Sequence, residues 1–237
     1  MVTVHGERAG PQAVQRAVAI LQTFSEAEPE LSLTSIAART GLPISTTYRL
    51  AQALQHAGLL ERADDGQRYR IGLGVVALAA PAIRRINVER VAPQLQSLAR
   101  DIEITASFAV PAADEILTVL SARPQRRFCT NQLPGPRQPL ADSAMGMAVL
   151  AYTRPTGDPA LQLVRKRGYA DGAGPQGDHV RAIAVPVIGP DGTPRGSVGV
   201  QALRRRLTDR LVADILPTIR RHAYRIGQVH ELDLISD

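Results

Sequence analysis

Three runs of apolar residues at helical spacing open the chain and predict three short helices. The first is expected over about 13–26. Ser32 suits the start of the second helix, because its hydroxyl can cap free backbone N–H groups, and Gly41 suits its end. Pro43 suits the first turn of the third helix. Two short helices joined by a tight, glycine-containing turn predict a helix-turn-helix unit.

The third helix is expected to be amphipathic. Its inner stripe follows the spacing i, i+3, i+4, i+7 and consists of Thr47, Leu50, Ala51 and Leu54. Its other face offers hydroxyl, guanidinium and amide groups, which can meet phosphates and base edges in a DNA major groove. We expect DNA contacts from Ser45, Thr46, Thr47, Tyr48, Arg49 and Gln52. Two alternatives stay open: Thr47 is buried, or the whole element is an ordinary solvated surface helix.

A β-hairpin is predicted directly after the third helix. Residues 60–62 and 68–71 are expected to form short strands, and Asp-Asp-Gly at 64–66 is a strong turn signal between them. A hairpin in this position would be the wing of a winged helix-turn-helix domain. We expect Arg62 and Arg68 to contact DNA phosphates from this wing.

The rest of the chain predicts a helical linker followed by an α+β domain. A long helical linker is expected over 73–102, broken or bent near Pro81 and Pro93, and core helices of the second domain are the alternative for 88–102. Strands are expected at 105–110, 115–120, 126–132, 180–188 and 196–202, and helices at 144–152, 159–166 and 208–229. Strands in groups with flanking helices indicate an antiparallel sheet in an α+β fold.

These patterns divide the chain into four segments. The predicted fold class is α+β, with an N-terminal winged helix-turn-helix domain and a C-terminal antiparallel-sheet domain. The segments are a disordered N-terminus at 1–12, the winged helix-turn-helix domain at 13–74, the helical linker at 75–102 and the sheet domain at 103–237.

Composition limits the classes of function. The formal net charge is +6, which permits nucleic-acid binding, but residues 1–74 carry seven arginines and seven acidic residues and are neutral overall. Aromatic residues make up 3% of the chain, so stacking platforms for single-stranded nucleic acid are not expected. The single cysteine, Cys129, allows no internal disulfide. Without an apolar run of membrane-spanning length or a signal segment, we expect a cytoplasmic protein that contacts no membrane.

The N-terminal segments resemble the DNA-binding domain of the IclR (isocitrate lyase regulator) family of bacterial transcription factors. Their order and spacing carry the resemblance: VQRAVAIL at 14–21, LTSIAARTGLP at 33–43, STTYRL at 45–50, GLLER at 58–62 and YRIGLG at 69–74. One departure is Ile44, where family members often carry lysine. The resemblance implies a regulator that binds double-stranded operator DNA.

The C-terminal half resembles the effector-binding domain of the same family, though less closely. The matching segments are 139–151, 167–169, 180–187, 191–192 and 206–209. The resemblance implies that this domain pairs subunits, as a homodimer or a dimer of dimers, and binds a small-molecule effector. The pocket residues that it implies are Ser143, Ala144, Met145, Asp171, Val180, Ala182, Gly199 and Gln201.

Several of these pocket positions depart from the family pattern. Ala182 stands where cysteine is frequent, and Gly199 and Gln201 stand where small hydroxyl residues are frequent. A pocket with few hydrogen-bond donors binds a small carboxylate poorly, because a buried charge needs partners. We therefore expect an effector that is larger or less polar than a small organic acid, or no effector at all.

No constellation of residues predicts catalysis, a metal site or a cofactor. The five histidines lack metal-ligand spacing, and no nucleophile stands in a recognisable motif. We expect a sequence-specific transcriptional regulator, a repressor, that is not an enzyme. The alternatives are a winged-helix module that docks proteins and a regulator whose degenerate pocket acts without a ligand.

Overall fold

The computed structural model describes residues 9–25, 28–124, 135–153, 155, 157–174 and 177–229. The chain forms two compact units, Met1–Pro81 and Ala82–Asp237. The predicted α+β class is confirmed, because helices surround a small antiparallel sheet in the first unit and a larger antiparallel sheet in the second.

The N-terminal unit is a winged helix-turn-helix. Its elements are α1 (Ala9–Leu21), β1 (Glu30–Ser32), α2 (Leu33–Thr40), α3 (Ile44–His56), β2 (Leu60–Arg62) and β3 (Arg68–Ile71). The three strands form an antiparallel sheet in the order β1-β3-β2. The three predicted helices and the hairpin are therefore confirmed, whereas β1 was missed because three residues are too few to show alternation.

Two features of α1 correct the prediction. Ala9 begins the helix, so the predicted disorder of 1–12 is wrong for residues 9–12, and residues 1–8 lie outside the described part of the chain. The helix ends at Leu21 rather than near residue 26. In the turn that follows, the Thr23 hydroxyl donates to the carbonyl oxygen of Ile20 at 2.7 Å.

Local chemistry sets the ends of α2 and its packing. The Ser32 hydroxyl accepts a hydrogen bond from the Ser35 N–H at 3.1 Å, as expected of an N-cap. Gly41 ends the helix at φ +67°, a conformation in which a Cβ atom would be strained. The buried core beneath α1, α2, α3 and the sheet consists of Ile20, Leu31, Ile36, Ala51, Leu54, Leu60 and Tyr69.

The predicted linker consists of two helices, α4 (Gly74–Ile86) and α5 (Val88–Ile102). The break lies at Asn87, which has φ +52°, and both Pro81 and Pro93 lie inside helices rather than at their ends. The boundary between the two compact units falls within α4. The inner side of α5 is buried in the C-terminal core, so the alternative of a core helix holds for this segment.

The C-terminal unit contains one six-stranded antiparallel sheet in the order β6-β5-β4-β9-β8-β7. Its elements are β4 (Ala106–Ala112), β5 (Glu115–Ala122), β6 (Arg137–Pro139), α6 (Ala144–Thr153), α7 (Pro159–Arg167), β7 (Ala170–Gly174), β8 (Gly177–Ile188), β9 (Pro194–Leu203) and α8 (Asp209–Gly227). The strand predicted at 126–132 and Cys129 lie outside the described residues. The short strands β6 and β7 were missed.

Side chains alternate between the two faces of this sheet, and different helices cover each face. Ile183 and Val198 belong to the core beneath α5 and α8. Ala109 and Ala184 belong to a second core beneath α6 and α7, where small residues let the helices lie close to the strands. Successive residues along a strand therefore point alternately into one core and into the other.

Candidate DNA interface and effector pocket

Three of the four inner-stripe residues of α3 are buried as the spacing predicts, and the fourth, Leu50, is half-buried. Thr47, Ala51 and Leu54 face the core, and Thr47 is completely buried. The Thr47 hydroxyl donates to the carbonyl oxygen of Pro43 at 3.1 Å, within the first turn of the helix. The expectation that Thr47 contacts DNA is therefore wrong, and the alternative of a buried position holds.

The outer side of α3 presents the other predicted DNA-contacting residues. Ser45, Tyr48 and Arg49 are exposed, whereas Thr46 and Gln52 are half-buried. Ile44, which was not among the predicted contacts, is the first residue of the helix and is also exposed. This side of the helix can therefore present hydroxyl, phenol, guanidinium and amide groups to a DNA groove at the same time.

On the wing, Arg62 is held against the hairpin. Its guanidinium carbon lies 4.2 Å from the centre of the Tyr69 ring, and its Nη1 donates to the carbonyl oxygen of Gly66 at 3.0 Å. The stacking restricts the side chain to one side of the wing. Arg62 is therefore positioned by the hairpin before any ligand is present.

Carboxylates engage the other two wing arginines. Arg68 Nε lies 2.6 Å from Asp65 Oδ2, and Arg68 Nη2 lies 3.1 Å from Glu30 Oε2. Arg70 Nε lies 2.7 Å from Glu61 Oε1. These ion pairs offset the positive charge of the wing, so a phosphate would share these guanidinium groups with carboxylates.

Hydrogen bonds in the hairpin turn stabilise the charged form of Asp65. The backbone N–H of Arg68 donates to Asp65 Oδ1 at 3.0 Å, and the N–H of Gln67 donates to the same oxygen at 2.9 Å. The Arg68 backbone bond, the Arg68 side chain and the Gln67 bond lower the pKa of Asp65 from 3.8 to about 2. The same carboxylate raises the pKa of Arg68.

A small cavity lies between α6 and the sheet of the C-terminal unit. Its volume is about 10 Å³, the size of a single water molecule. The residues that line it are Ser107, Gln138, Ala144, Met145, Ala182, Ile183, Gly199, Val200 and Gln201. The structure therefore brings together five of the eight predicted pocket residues: Ala144, Met145, Ala182, Gly199 and Gln201.

Ser143 and Val180 do not line this cavity. The Ser143 hydroxyl donates to the carbonyl oxygen of Pro139 at 2.8 Å and accepts from the Gly146 N–H at 3.1 Å. Both bonds hold the start of α6, so the hydroxyl stabilises the helix. Val180 is completely buried, and its side chain packs close to Gly174.

Asp171 also lies outside the cavity, because its side chain belongs to the opposite face of the sheet. Its neighbour Gly172 stands directly across from Ala182, which lines the cavity, so Asp171 faces the other side of the sheet by the alternation along the strand. Its carboxylate pairs with Arg181, with Nη2 and Oδ2 2.5 Å apart. The predicted pocket role of Asp171 is therefore not supported by the geometry.

Two carboxamides change the predicted chemistry of the pocket. Gln138 and Gln201 are both more than nine-tenths buried. Within the described residues, their Nε2 atoms have no hydrogen-bond partner. The expectation of a cavity with few hydrogen-bond donors is thus wrong, because two amide groups supply free N–H donors. Gln138 was missed because the three-residue strand β6 gives no sequence signal for burial.

Met145 fills the space next to these amides. A Cβ atom added to Gly199 would lie 3.0 Å from Met145 Cγ and 3.2 Å from its Sδ and Cε atoms. The thioether chain therefore lies directly over the glycine. Because methionine has three rotatable bonds, a change of its rotamer can enlarge the cavity without moving a strand.

Within the part of the chain that the structure describes, no three histidine, cysteine or acidic residues come together in a way that could hold a metal ion. None of the described helices combines the length and the apolar character that crossing a membrane requires.

Comparisons with known proteins match both units. Residues 13–64 match the family model of the IclR helix-turn-helix domain. The chain is 26% identical over 201 residues to the HTH-type transcriptional regulator KdgR of Escherichia coli strain K12, covering 74% of this chain and 76% of that protein. It is 32% identical over 144 residues to the transcriptional repressor AllR of the same strain, covering 60% of this chain and 52% of AllR.

Solved structures match the fold over almost the whole chain. The structure of a putative IclR transcriptional regulator from Silicibacter sp. TM1040 has a TM-score of 0.67 and 26% identity, covering 92% of this chain and 97% of that one. An IclR homologue from Microbacterium hydrocarbonoxydans, complexed with 4-hydroxybenzoate, has a TM-score of 0.70 and 21% identity, covering 93% and 98%. The second likeness concerns the fold alone.

Proposed function

This chain belongs to the IclR family of transcriptional regulators, and we propose that it is a repressor that binds a specific operator through α3 and its wing. The observation that carries the proposal is the division of α3 into a buried stripe and an exposed polar side. Helix-turn-helix proteins place such a helix in the major groove. The relatives of this chain named above, KdgR and AllR, are transcriptional regulators rather than enzymes, and AllR is named a repressor.

We assign the base and phosphate contacts to the exposed side of α3. Ser45, Thr46, Tyr48, Arg49 and Gln52 supply groups that can donate to or accept from base edges. Arg62 and Arg68 supply phosphate contacts from the wing. Because Arg68 is paired with Asp65 and Glu30, its contribution is smaller than that of Arg49.

Self-association is supported by apolar side chains that the described residues leave uncovered. Val14 on α1 is 64% exposed, and Val76 and Leu78 on α4 are 61% and 69% exposed. None of the residues of α4 is buried. Burying such helices against a second copy would remove this surface from water. We propose a homodimer, alone or as half of a dimer of dimers, that binds a roughly palindromic operator.

We propose that the cavity beneath α6 is the effector site and that it opens when Met145 moves. At about 10 Å³ the cavity is too small for an organic effector. The amide N–H groups of Gln138 and Gln201 would then donate to an acceptor group on the ligand. Neutral donors offset only part of the cost of burying a charge. A pyruvate-sized acid should therefore bind weakly.

The DNA proposal is tested by selecting sequences from a random duplex pool with the full-length chain, at one fixed salt concentration. Enrichment of a two-fold symmetric site is the expected result, and sedimentation of the complex gives the number of chains bound. A pool that stays random after several rounds would overturn operator binding and favour a winged helix that docks a protein. The matched control is a selection with Arg49→Ala, in which the same site should be enriched less strongly than with the unaltered chain.

A further inference from the structure

Two large apolar side chains lie exposed at the start of the helix that we assign to DNA. Ile44 is 57% exposed and Tyr48 is 49% exposed, although the remaining large apolar residues of α3 are buried or half-buried. Single exposed apolar residues are normal on protein surfaces and need no explanation. A pair in the first turns of α3 is a different case, because the first residues of a recognition helix approach the bases most closely.

Helix geometry places these two residues in one row. Ile44, Tyr48 and Gln52 are spaced at i, i+4 and i+8, so each is displaced by only about 40° around the helix from the one before. By the same spacing, Ser45 and Arg49 form a neighbouring polar row, which ends at the exposed Ala53. The outer side of α3 thus carries an apolar row that ends in an amide, beside a row of polar groups.

The chemistry of the first row matches one kind of base pair. In the major groove, thymine presents a methyl group, and an apolar side chain can contact it. Adenine presents N6 and N7, which a glutamine amide can bind with two hydrogen bonds. Guanine and cytosine present no methyl group on this edge. A row of two apolar side chains and a glutamine is therefore complementary to successive A·T pairs.

We propose that Ile44 and Tyr48 determine operator specificity by contacting thymine methyl groups, with Gln52 bound to an adenine beside them. The proposal rests on operator binding by α3, and it adds the base class that this helix selects. Ile44 carries no charge with which to bind a phosphate, and its role here is to contact a base. Tyr48 acts here through its ring, and Arg49 in the next row keeps the polar contacts.

The test uses the full-length chain and the duplex selected from the random pool. Each thymine of one half-site is replaced in turn by deoxyuridine, which lacks only the methyl group. At one or two positions the affinity of the unaltered protein should fall about fourfold, the effect of removing one buried methyl group. Replacing the neighbouring adenine by 7-deazaadenine, which lacks N7, should weaken binding of the unaltered protein but not of Gln52→Ala.

Three variants assign the effect to residues. Ile44→Ala and Tyr48→Ala should each bind thymine and deoxyuridine duplexes equally at one position, while Tyr48→Phe keeps the discrimination because it keeps the ring. Leu163→Ala on α7 is the matched control, since it truncates an exposed aliphatic side chain of the other unit. All four replace exposed residues, and thermal melts check that each variant is folded.

The outcomes separate this proposal from the one on which it rests. Equal affinity for thymine and deoxyuridine at every position overturns methyl contact, and tight binding to the selected duplex then leaves operator binding intact. Discrimination that persists in both alanine variants also overturns the assignment to Ile44 and Tyr48. A pool that yields no preferred sequence overturns both proposals, and the apolar pair is then a surface for a protein partner.

Discussion

Arg181 and Asp171 form a two-point ion pair between β8 and β7, with Nε 2.9 Å from Oδ1 and Nη2 2.5 Å from Oδ2. The same guanidinium donates from Nη1 to the carbonyl oxygen of Leu207 at 2.9 Å. Because Arg181 is largely buried, these partners satisfy a charge that would otherwise be costly. The pairing with Asp171 is also the main cause of the raised pKa of Arg181.

We expect Asp171→Asn to destabilise the C-terminal unit without changing effector binding. Removing the charge of Asp171 leaves the buried Arg181 guanidinium with only the exposed Asp209 as a counter-ion, at a cost of about 2–4 kcal/mol in the free energy of unfolding. Chemical denaturation measures this loss. Asp209→Asn is the control: Asp209 also pairs with Arg181, but its side chain is 93% exposed, so the loss should stay below about 1 kcal/mol.

An unchanged denaturation curve for Asp171→Asn would contradict the structural role of the ion pair. A variant that stays stable but no longer responds to an effector would support the effector-binding role of Asp171 that the family resemblance implied.

Arg49→Ala should weaken operator binding by about 1–3 kcal/mol, the usual loss of one good base or phosphate contact. Arg68→Ala should weaken binding less than Arg49→Ala does, because Asp65 and Glu30 already engage the Arg68 guanidinium. Gel-shift titrations at one salt concentration measure both. Equal affinities for Arg49→Ala and the unaltered protein would argue against a role for Arg49 in binding.

Met145→Ala should enlarge the cavity beneath α6. The loss of buried methylene groups should lower the free energy of unfolding by about 2–4 kcal/mol. Calorimetric titration with 4-hydroxybenzoate and with pyruvate, at the same pH and salt, measures which ligands the enlarged cavity accepts. Met147→Ala, a half-buried methionine of the same helix that does not line the cavity, is the control.

Ligand binding that is as weak in Met145→Ala as in Met147→Ala would contradict the gating role of Met145. Tight binding of pyruvate to the unaltered protein would contradict the expectation that small acids bind weakly.

Acid should loosen the wing over a defined pH range. The folded hairpin lowers the pKa of Asp65 from 3.8 to about 2, so ionised Asp65 is favoured in the folded state. Its stabilising contribution is complete above the unfolded pKa and is lost as the pH falls from about 4 through about 2. An NMR titration of the Asp65 carboxyl group should show its midpoint near 2, and Arg68→Ala should raise that midpoint.

If the carboxyl group of Asp65 titrates near 3.8 in the folded protein, the hydrogen bonds from Arg68 and Gln67 do not persist in solution.

Much of the N-terminal unit follows from short-range sequence patterns. The buried stripe of α3 was predictable, because a spacing of i, i+3, i+4, i+7 places residues on one side of any helix. The turn at Asp65 and Gly66 was predictable as well, since those residue types favour the backbone conformations of a hairpin. The sequence left Thr47 with two alternatives, and only packing decided between them.

The ion-pair partners of the wing arginines could not be predicted from local sequence patterns. Their position on a hairpin was predictable, yet Arg68 is paired with Glu30 on a neighbouring strand that the sequence did not reveal. Strand pairing brings together residues far apart in the chain, and no local period encodes the partner.

By itself, the sequence determined the helix faces, the hairpin turn and the order of the longer elements, because each depends on residues a few positions apart. The tertiary structure alone decided that Gln138 joins Gln201 in one cavity and that Asp171 turns to Arg181 on the other face. Both outcomes depend on the register between strands. A shift of one residue in register would exchange the faces, and that register is set by the packing of the whole sheet.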